Sequence, residues 1–417
     1  MHPFSLIFLA ALVFTTAFRA WLAWRQIHFV SAHRSQVPPA FAEKITLDAH
    51  QKAGDYTVAK TRLGIIELFV DFLLTLIFTF GGGLNWIDQT LRGMGFGWLG
   101  LGVGLAVAAI LISGIISLPF SIYRTFTIEA KFGFNRMTLG LFISDLMKQV
   151  LLGAAIGLPV LAAILWMMNA LGANWWIYAW LFYIGFSVLM MIVFPTWIAP
   201  LFNKFSPLAD NDLKQRIENL LTRCGFKSQG LFVMDGSKRS SHGNAYFTGF
   251  GKSKRIVFFD TLIERLQPTE IEAVLAHELG HFKRRHIIKR IALSFAVSFV
   301  LLAILGWLAR EPWFFRSLGV TEASNGMALV LFFTALPAFT FFLHPISSLY
   351  SRKHEFEADE YAAEQTQSAD LITALVKLYQ DNASTLTPDP LYSAVYDSHP
   401  PAAIRIAHLR QLGGASA

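Results

Sequence analysis

Residues 277 to 281 read His277-Glu278-Leu279-Gly280-His281. On an α-helix, positions i and i+4 share a face, so His277 and His281 can aim imidazole nitrogens at one metal ion. Glu278 then stands one residue round, beside the open coordination position, where a carboxylate can take a proton from bound water. The chemistry predicted is hydrolysis by one Zn2+ per chain. With 12 histidines in 417 residues, chance would produce a His-Glu-x-x-His pattern in roughly one such chain in a hundred, so its surroundings must carry the argument.

Those surroundings read as a helix. Thr269 and Glu272 have capping-box spacing with Pro268 just outside, and Ile271, Val274, Leu275 and Leu279 form an apolar stripe of helical period. The competing reading, an amphipathic helix with two polar-face histidines, gives no reason for the pair to bracket a glutamate. The single cysteine, Cys224, excludes an internal disulfide and a cysteine-rich metal site, so the remaining ligand must be histidine or carboxylate. Lys353-His354-Glu355-Phe356-Glu357-Ala358-Asp359 supplies one. Glu355 is the predicted third ligand, and Asp359, at i+4, is placed to accept the other ring N–H of a ligating histidine. Glu357 is the competing ligand, but it points two residues away round the helix, so it and Glu355 cannot both face the metal. A solvated charged face is the bland alternative for the whole cluster.

The elements that must hold these residues are mostly apolar. Hydrophobic residues make up 54%, aromatics 14% and charged residues only 15%, with a mean hydropathy of +0.47, which excludes a single soluble domain of this length. Seven stretches can span a bilayer: 4–24, 63–84, 97–121, 150–169, 175–199, 291–309 and 327–350. The first has no Lys or Arg before it, contains Arg19 and lacks a convincing cleavage site, so it reads as a retained helix rather than a secretory signal. The net charge of +7 would suit nucleic acid, but the basic residues are spread over loops, and no nucleic-acid partner is expected. Lys and Arg number six in 25–62, four in 122–149 and sixteen in 200–290, against one in 85–96, none in 170–174 and two in 310–325. The positive-inside rule therefore places the N-terminus outside and the His277 region in the cytoplasm.

This gives four parts. Residues 1–199 form a membrane region of five helices, 200–290 a cytoplasmic catalytic part, 291–350 a transmembrane hairpin and 351–417 a C-terminal catalytic part with the third ligand. About nine residues separate His281 from the sixth span and about five separate the seventh from Glu355, so the hairpin returns both to one membrane face. Within 200–290 a helix from about 211 to 223 and strands at 231–234 and 256–259 are expected, and the segment 244–250 suits an edge strand able to pair with an extended peptide. Arg19, Glu67 and Asp71 lie inside apolar spans, where ionisable groups face a cavity or one another.

Six blocks in order carry a resemblance that covers nearly the whole chain: HQKAGDYTVAK at 50–60, YRTFTIEAKFGFNRMT at 123–138, SKRSSHGNAYFTGFGKSKRIVFFDTL at 237–262, HELGHFKRRH at 277–286, SRKHEFEAD at 351–359 and SHPPAAIRI at 398–406. The chain resembles the M48 metallopeptidases of the Ste24 or CAAX prenyl protease type. That resemblance implies a mainly α multi-pass membrane protein, with seven transmembrane helices enclosing a chamber and a cytoplasmic zincin-like α+β catalytic domain. It implies His277, His281 and Glu355 as zinc ligands and Glu278 as general base and acid. It also implies His399 and Arg405 at the oxyanion or substrate, and Asn244 where the peptide backbone is gripped. The family commonly has Gln where this chain has Glu357, which adds a negative charge beside an intact ligand. Read without the family, His399 before Pro400-Pro401 could cap a helix, Arg405 could be a surface charge and Asn244 could serve a strand turn. His286, five past His281, reads as rotated off the ligand face and structural.

The partners expected are a peptide or protein substrate, prenylated at a C-terminal CAAX sequence if the resemblance extends that far, and membrane lipid. A broader membrane quality-control peptidase of the HtpX kind is the alternative within the family, disfavoured by the seven spans. A transporter or non-proteolytic scaffold is disfavoured by the lack of internal repeats. With no ER-retrieval tetrapeptide in its closing residues, a bacterial inner membrane is the expected location, or the endoplasmic reticulum if the source is eukaryotic.

Overall fold

The computed structural model describes residues 2–209, 211–248 and 255–414. Sixteen α-helices are found among them: α1 Pro3–Ala32, α2 Leu47–Phe78, α3 Gly83–Gly93, α4 Trp98–Tyr123, α5 Leu139–Ala170, α6 Trp175–Val193, α7 Asp212–Arg223, α8 Asp260–Ile263, α9 Pro268–Lys283, α10 His286–Leu308, α11 Pro312–Ser317, α12 Asn325–Thr340, α13 His344–Gln365, α14 Ser368–Asp381, α15 Pro390–Tyr396 and α16 Ala402–Gly414. Four strands accompany them: β1 Phe205–Pro207, β2 Leu231–Met234, β3 Ala245–Thr248 and β4 Arg255–Phe259.

Six helical runs among the described residues are long and apolar enough to cross a membrane: Pro3–Ala32, Trp98–Glu129, Leu139–Ala170, Gly172–Leu201, His286–Leu308 and Asn325–Gln365. A seventh exists if α2 and α3, bent by 52° at their junction, count as one span. The expected 63–84 span is therefore not one straight rod. Its helix ends at Phe78, and the chain turns through Gly81-Gly82-Gly83, with Gly82 in the left-handed region at φ 74°.

The main apolar core gathers one end of these helices. Phe8 and Leu12 near the start of α1, Leu105 in the first half of α4 and Met327 at the start of α12 are buried with Phe78, Leu165 and Leu305, which close α2, α5 and α10. Up and down connectivity puts all of these on the same side. Gly102 of α4 and Gly326 of α12 let two of the helices meet backbone to backbone there. α5 and α6 bury little of their length and leave apolar residues such as Leu151, Leu189 and Ile192 uncovered.

On the other side lies the catalytic domain. Its sheet runs β1-β2-β4-β3, with β2 and β4 parallel and both outer pairs antiparallel. Crossing from β2 to a parallel β4 needs an intervening connection, and β3, paired through Ala245 with Phe258, is left on the edge. Ile256, Phe258 and Leu231 join Ile217, Leu220, Ile271 and Leu275 in a second core under α7 and α9. The expected strands and the helix at 211–223 are found where the apolar runs and the amphipathic pattern placed them. The edge strand covers 245–248; residues 249–250 of the expected 244–250 segment lie outside the described residues.

Two ion pairs fasten this domain to the membrane part. Arg239 grips Asp145 of α5 with Nε at 2.7 Å and Nη2 at 3.0 Å, and Arg25 of α1 holds Asp389 at 2.9 Å. The last membrane helix needs no separate joint. A short 3-10 turn, Phe341–Leu343, links α12 to α13, so the span and the helix bearing Glu355 form one run.

Candidate metal centre and active site

The start of α9 differs from the expected capping box by two residues. Gln267 is the N-cap, Pro268 is the first helical residue, and Glu270 accepts the Gln267 backbone N–H at 2.7 Å. Proline fits there because its fixed φ suits a helix and its missing N–H would have had no partner. Thr269 instead donates to Asp370, and Glu272 accepts from Arg223. Ile271, Leu275 and Leu279 are buried, which leaves His277 and His281 on the face toward α13.

That pairing depends on Gly280. A Cβ there would lie 2.9 Å from the Ala358 Cα and 3.0 Å from its carbonyl oxygen, both rigid backbone atoms. Its absence lets α9 and α13 lie against each other in the most extensive helix contact of the molecule. Glu355, Ala358 and Asp359 are all buried by it.

Three donors converge across this contact. His277 Nε2 lies 3.2 Å from His281 Nε2 and 3.4 Å from Glu355 Oε2, and His281 Nε2 lies 3.3 Å from Glu355 Oε1. Donors about 2.0–2.1 Å from a tetrahedral ion stand about 3.3 Å apart, so the triangle has the dimensions of a three-ligand metal site with one position left over. Glu355 Oε2 has no hydrogen-bond partner although it is buried, which is costly for a carboxylate unless a cation completes it. These are the only three His, Cys, Asp or Glu residues grouped to hold an ion among the described residues.

Each histidine is oriented from behind. His277 Nδ1 donates to Asp359 Oδ1 at 2.8 Å, as the sequence spacing suggested, and this leaves its Nε2 lone pair for an ion. Arg405 secures Asp359 in turn, donating from Nε to Oδ2 at 2.8 Å and from Nη2 to Oδ1. For Glu355 and Asp359 burial alone would raise the carboxyl pKa values, but His277 and His281 hold Glu355 well below the usual range, and Arg405 with His277 does the same for Asp359. Burial opposes charge on His277, yet hydrogen bonds to Asp359 and Glu355 outweigh it and lift its pKa to about 9. The centre is built to favour positive charge.

His281 has a matching support that spacing did not reveal. Its Nδ1 lies 3.0 Å from His286 Nδ1, and His286 Nε2 lies 2.8 Å from Glu357 Oε2. With the His281 Nε2 lone pair aimed at the centre, its Nδ1–H donates to His286, whose Nε2–H donates to Glu357. His286 is 1% exposed and stacks on His354 at 3.9 Å between ring centroids. Glu357 is thus no metal ligand but the end of a relay. Nothing in the sequence signalled it, because the φ of 58° at Arg285 that breaks the helix and resets the face on which His286 emerges is a property of the fold.

The front of the centre opens on a groove of about 530 Å³, lined by His277, Glu278, Asn244, Lys60, His399 and Arg405 among others. Glu278 is half-buried there beside the ligands. His399 faces the centre from the loop before α16, with Nε2 3.5 Å from Glu355 Oε2 and Nδ1 3.0 Å from the Ser398 hydroxyl. It does not cap α16, whose first N–H bonds run to the Pro401 carbonyl. Arg405 is buried and also 3.7 Å from Glu355, so it is not the surface charge that the sequence left open. Asn244 is exposed at the mouth of edge strand β3, its Oδ1 accepting from the Ala245 N–H at 2.8 Å. Asn382, which binds His242 Nδ1 at 3.1 Å and the Gly243 N–H at 3.2 Å, shapes the same wall. Glu129 links His242, at 3.5 Å, to the Tyr56 hydroxyl of α2, tying the groove to the membrane helices.

A glutamate beside two histidines and a carboxylate, on one helix that leads into a membrane span and another that continues from one, defines an integral membrane metallopeptidase. Residues 26–204 match the pattern described as CAAX prenyl protease N-terminal, five membrane helices, and residues 207–413 match peptidase family M48. The chain is 36% identical to CAAX prenyl protease 1 homolog of Arabidopsis thaliana, over 97% of each chain. It is 33% identical to CAAX prenyl protease 1 of Saccharomyces cerevisiae, over 98% of this chain and 95% of the relative. The crystal structure of S. mikatae Ste24p superposes with a TM-score of 0.91 at 33% identity, covering 98% of this chain and 99% of that one. The chain belongs to the M48 family, in its CAAX prenyl protease branch.

Proposed function

We propose that this chain is a zinc endopeptidase of the cytoplasmic membrane face that cleaves peptides or proteins near a prenylated C-terminal CAAX sequence. The observation that carries the metal assignment is the triangle of His277, His281 and Glu355 donors, 3.2, 3.3 and 3.4 Å apart, with a buried Glu355 oxygen lacking any hydrogen bond. Two imidazoles and a carboxylate with one position free suit zinc in a catalytic site. Bound there, zinc supplies a water of lowered pKa and polarises a carbonyl. The remaining chemistry belongs to side chains. Glu278 takes the water's proton and delivers it to the leaving amine. His399, exposed at the mouth, donates to the oxyanion of the tetrahedral intermediate. Arg405 acts from behind, since Asp359 engages its Nε and Nη2, and adds positive charge close to Glu355. An extended substrate adds to the free edge of β3, with Asn244 gripping its backbone at the strand's start.

The prenyl part of the proposal is supported by the relatives' names, and the cytoplasmic assignment by the loop charges. The test is metal analysis of the purified protein with and without Glu355→Ala, combined with a fragment profile from a prenylated CAAX peptide and an unrelated membrane peptide. Stoichiometric zinc lost in the variant, with cleavage confined to the prenylated peptide, is expected. Zinc retained without Glu355 would overturn the ligand set, and equal cleavage of both peptides would favour a broad quality-control role.

A further inference from the structure

Three stretches of chain meet at His242, two residues before Asn244, on the wall of the catalytic groove. Its Nδ1 lies 3.1 Å from Asn382 Oδ1, and the same oxygen accepts the Gly243 N–H at 3.2 Å, which fixes the amide with its oxygen toward the ring. Its Nε2 lies 3.5 Å from Glu129 Oε2, while the other Glu129 oxygen accepts from the Tyr56 hydroxyl of α2. Each ring nitrogen therefore faces an oxygen, one at the end of α14 and one at the end of the run that continues α4. The ring itself stacks on Phe134, with centroids 4.4 Å apart.

The backbone is shaped around the same residue. Glu129 closes a π-helical stretch, Arg124–Glu129, and such wide turns recur at functional sites. Asn382 caps α14, and the next residue, Ala383, is buried with a φ of 43°, a left-handed conformation that a residue bearing a Cβ keeps only where its surroundings impose it. Between these two supports the 133–136 loop pairs with the chain just ahead of His242. Ser241 N–H donates to the Phe134 carbonyl and Arg136 N–H to the Arg239 carbonyl, each at 3.1 Å. The Thr261 hydroxyl holds the His242 carbonyl at 2.9 Å.

What these contacts fix is the start of an edge. β3 begins at Ala245, immediately after the clamped residues. β4 holds one side of it, from the Phe259 N–H on the Asn244 carbonyl at 2.9 Å onward, and no strand among the described residues covers the other. A slip of one residue would turn every side chain of a paired strand to the wrong face, so an edge that receives substrate must be held in place. We infer that His242, gripped by Glu129 and Asn382, is a positioning residue: it sets where β3 offers its free edge to an extended substrate, and through Glu129 and Tyr56 it ties that position to the membrane helices. The inference rests on the strand-addition part of the proposed function and adds the residue that governs it.

The test uses full-length protein in neutral detergent and two peptides of one sequence, N-methylated at alternate backbone positions away from the scissile bond, in opposite phases. Only one phase blocks the N–H groups that a strand edge uses. For the unaltered chain kcat/KM should differ between the phases by about tenfold or more, the scale of two lost hydrogen bonds, mainly through KM. His242→Phe keeps the ring stack and should bring the ratio near one with zinc content unchanged. Asn382→Leu should do the same, and Asn382→Asp, which retains the shared oxygen, should restore the preference. Thermal unfolding separates a lost contact from a lost fold, and should His242→Phe not fold, the contrast between Leu and Asp at position 382 decides. A full phase preference in His242→Phe or Asn382→Leu, equal behaviour of Leu and Asp at 382, or zinc lost in a folded His242→Phe protein overturns the inference while strand addition stands. Equal cleavage of both phases by the unaltered chain overturns strand addition and the inference with it.

Discussion

Glu278 is the side chain whose loss should separate chemistry from metal binding. It lines the groove without belonging to the donor triangle, so Glu278→Gln should retain one zinc and lose about two to four powers of ten in kcat, the usual worth of general acid–base catalysis. Normal turnover in a zinc-loaded Gln variant would remove it from the mechanism. The relay behind His281 makes a different prediction. Replacing His286 by Phe, or Glu357 by Ala, should weaken zinc binding about 10–100-fold while leaving the three ligands in place, because partners behind a ligating histidine hold its tautomer and ring angle. Competition with a zinc-selective chelator reads this directly, and unchanged affinity in both variants would make the relay a packing feature. The convergence of His277, His281 and Glu355, with Glu278 and Asp359 beside them, was legible because these residues sit on unbroken helices, where i and i+4 counting holds. His286 was not, since the count from His281 crosses the left-handed Arg285, and helical arithmetic stops at such a break.

At the level of elements, the metal centre depends on how closely α9 and α13 approach, and Gly280 sets that distance. Gly280→Ala puts a methyl against the Ala358 backbone, which a flexible neighbour cannot relieve. The expected cost is about 1–3 kcal/mol from overpacking. Because the helices that separate carry His277 and Glu355, zinc affinity should fall with stability. Ala at nearby Val274, whose side chain faces the groove, should lower stability without that parallel loss of zinc. Paired thermal and metal-binding measurements distinguish them, and a Gly280→Ala protein with unaltered zinc affinity would refute the argument. The helices and the strands at 231–234 and 256–259 were readable from periodicity and from apolar, β-branched runs. The cap of α9 and the end of α2 were not, because local signals there compete. Thr269 is a better intrinsic cap than Gln267, but Asp370 from another helix claims it, and a triple glycine ends a segment whose composition alone would continue.

Across the whole molecule, the same face of the membrane must hold both halves of the site, since α9 leads directly into one span and α13 continues directly from another. The charge pattern of the loops predicts that this face is cytoplasmic, and the fold turns that into a labelling experiment. Lys353, with a side chain 74% exposed, lies on α13 next to the centre, whereas Met94, 63% exposed, lies beyond α3 at the opposite end of the helices. In a Cys224→Ser background, which removes the single native thiol, a membrane-impermeant maleimide should modify K353C only in inverted vesicles and M94C only in right-side-out ones. Neither position touches the metal donors, so zinc content and peptide cleavage in each single-cysteine protein certify that the labelled molecules are folded. Reciprocal labelling with the sides exchanged would reverse the orientation while leaving the site untouched. Labelling of both positions from one side would contradict the fold, because the chain between them crosses the apolar layer an odd number of times.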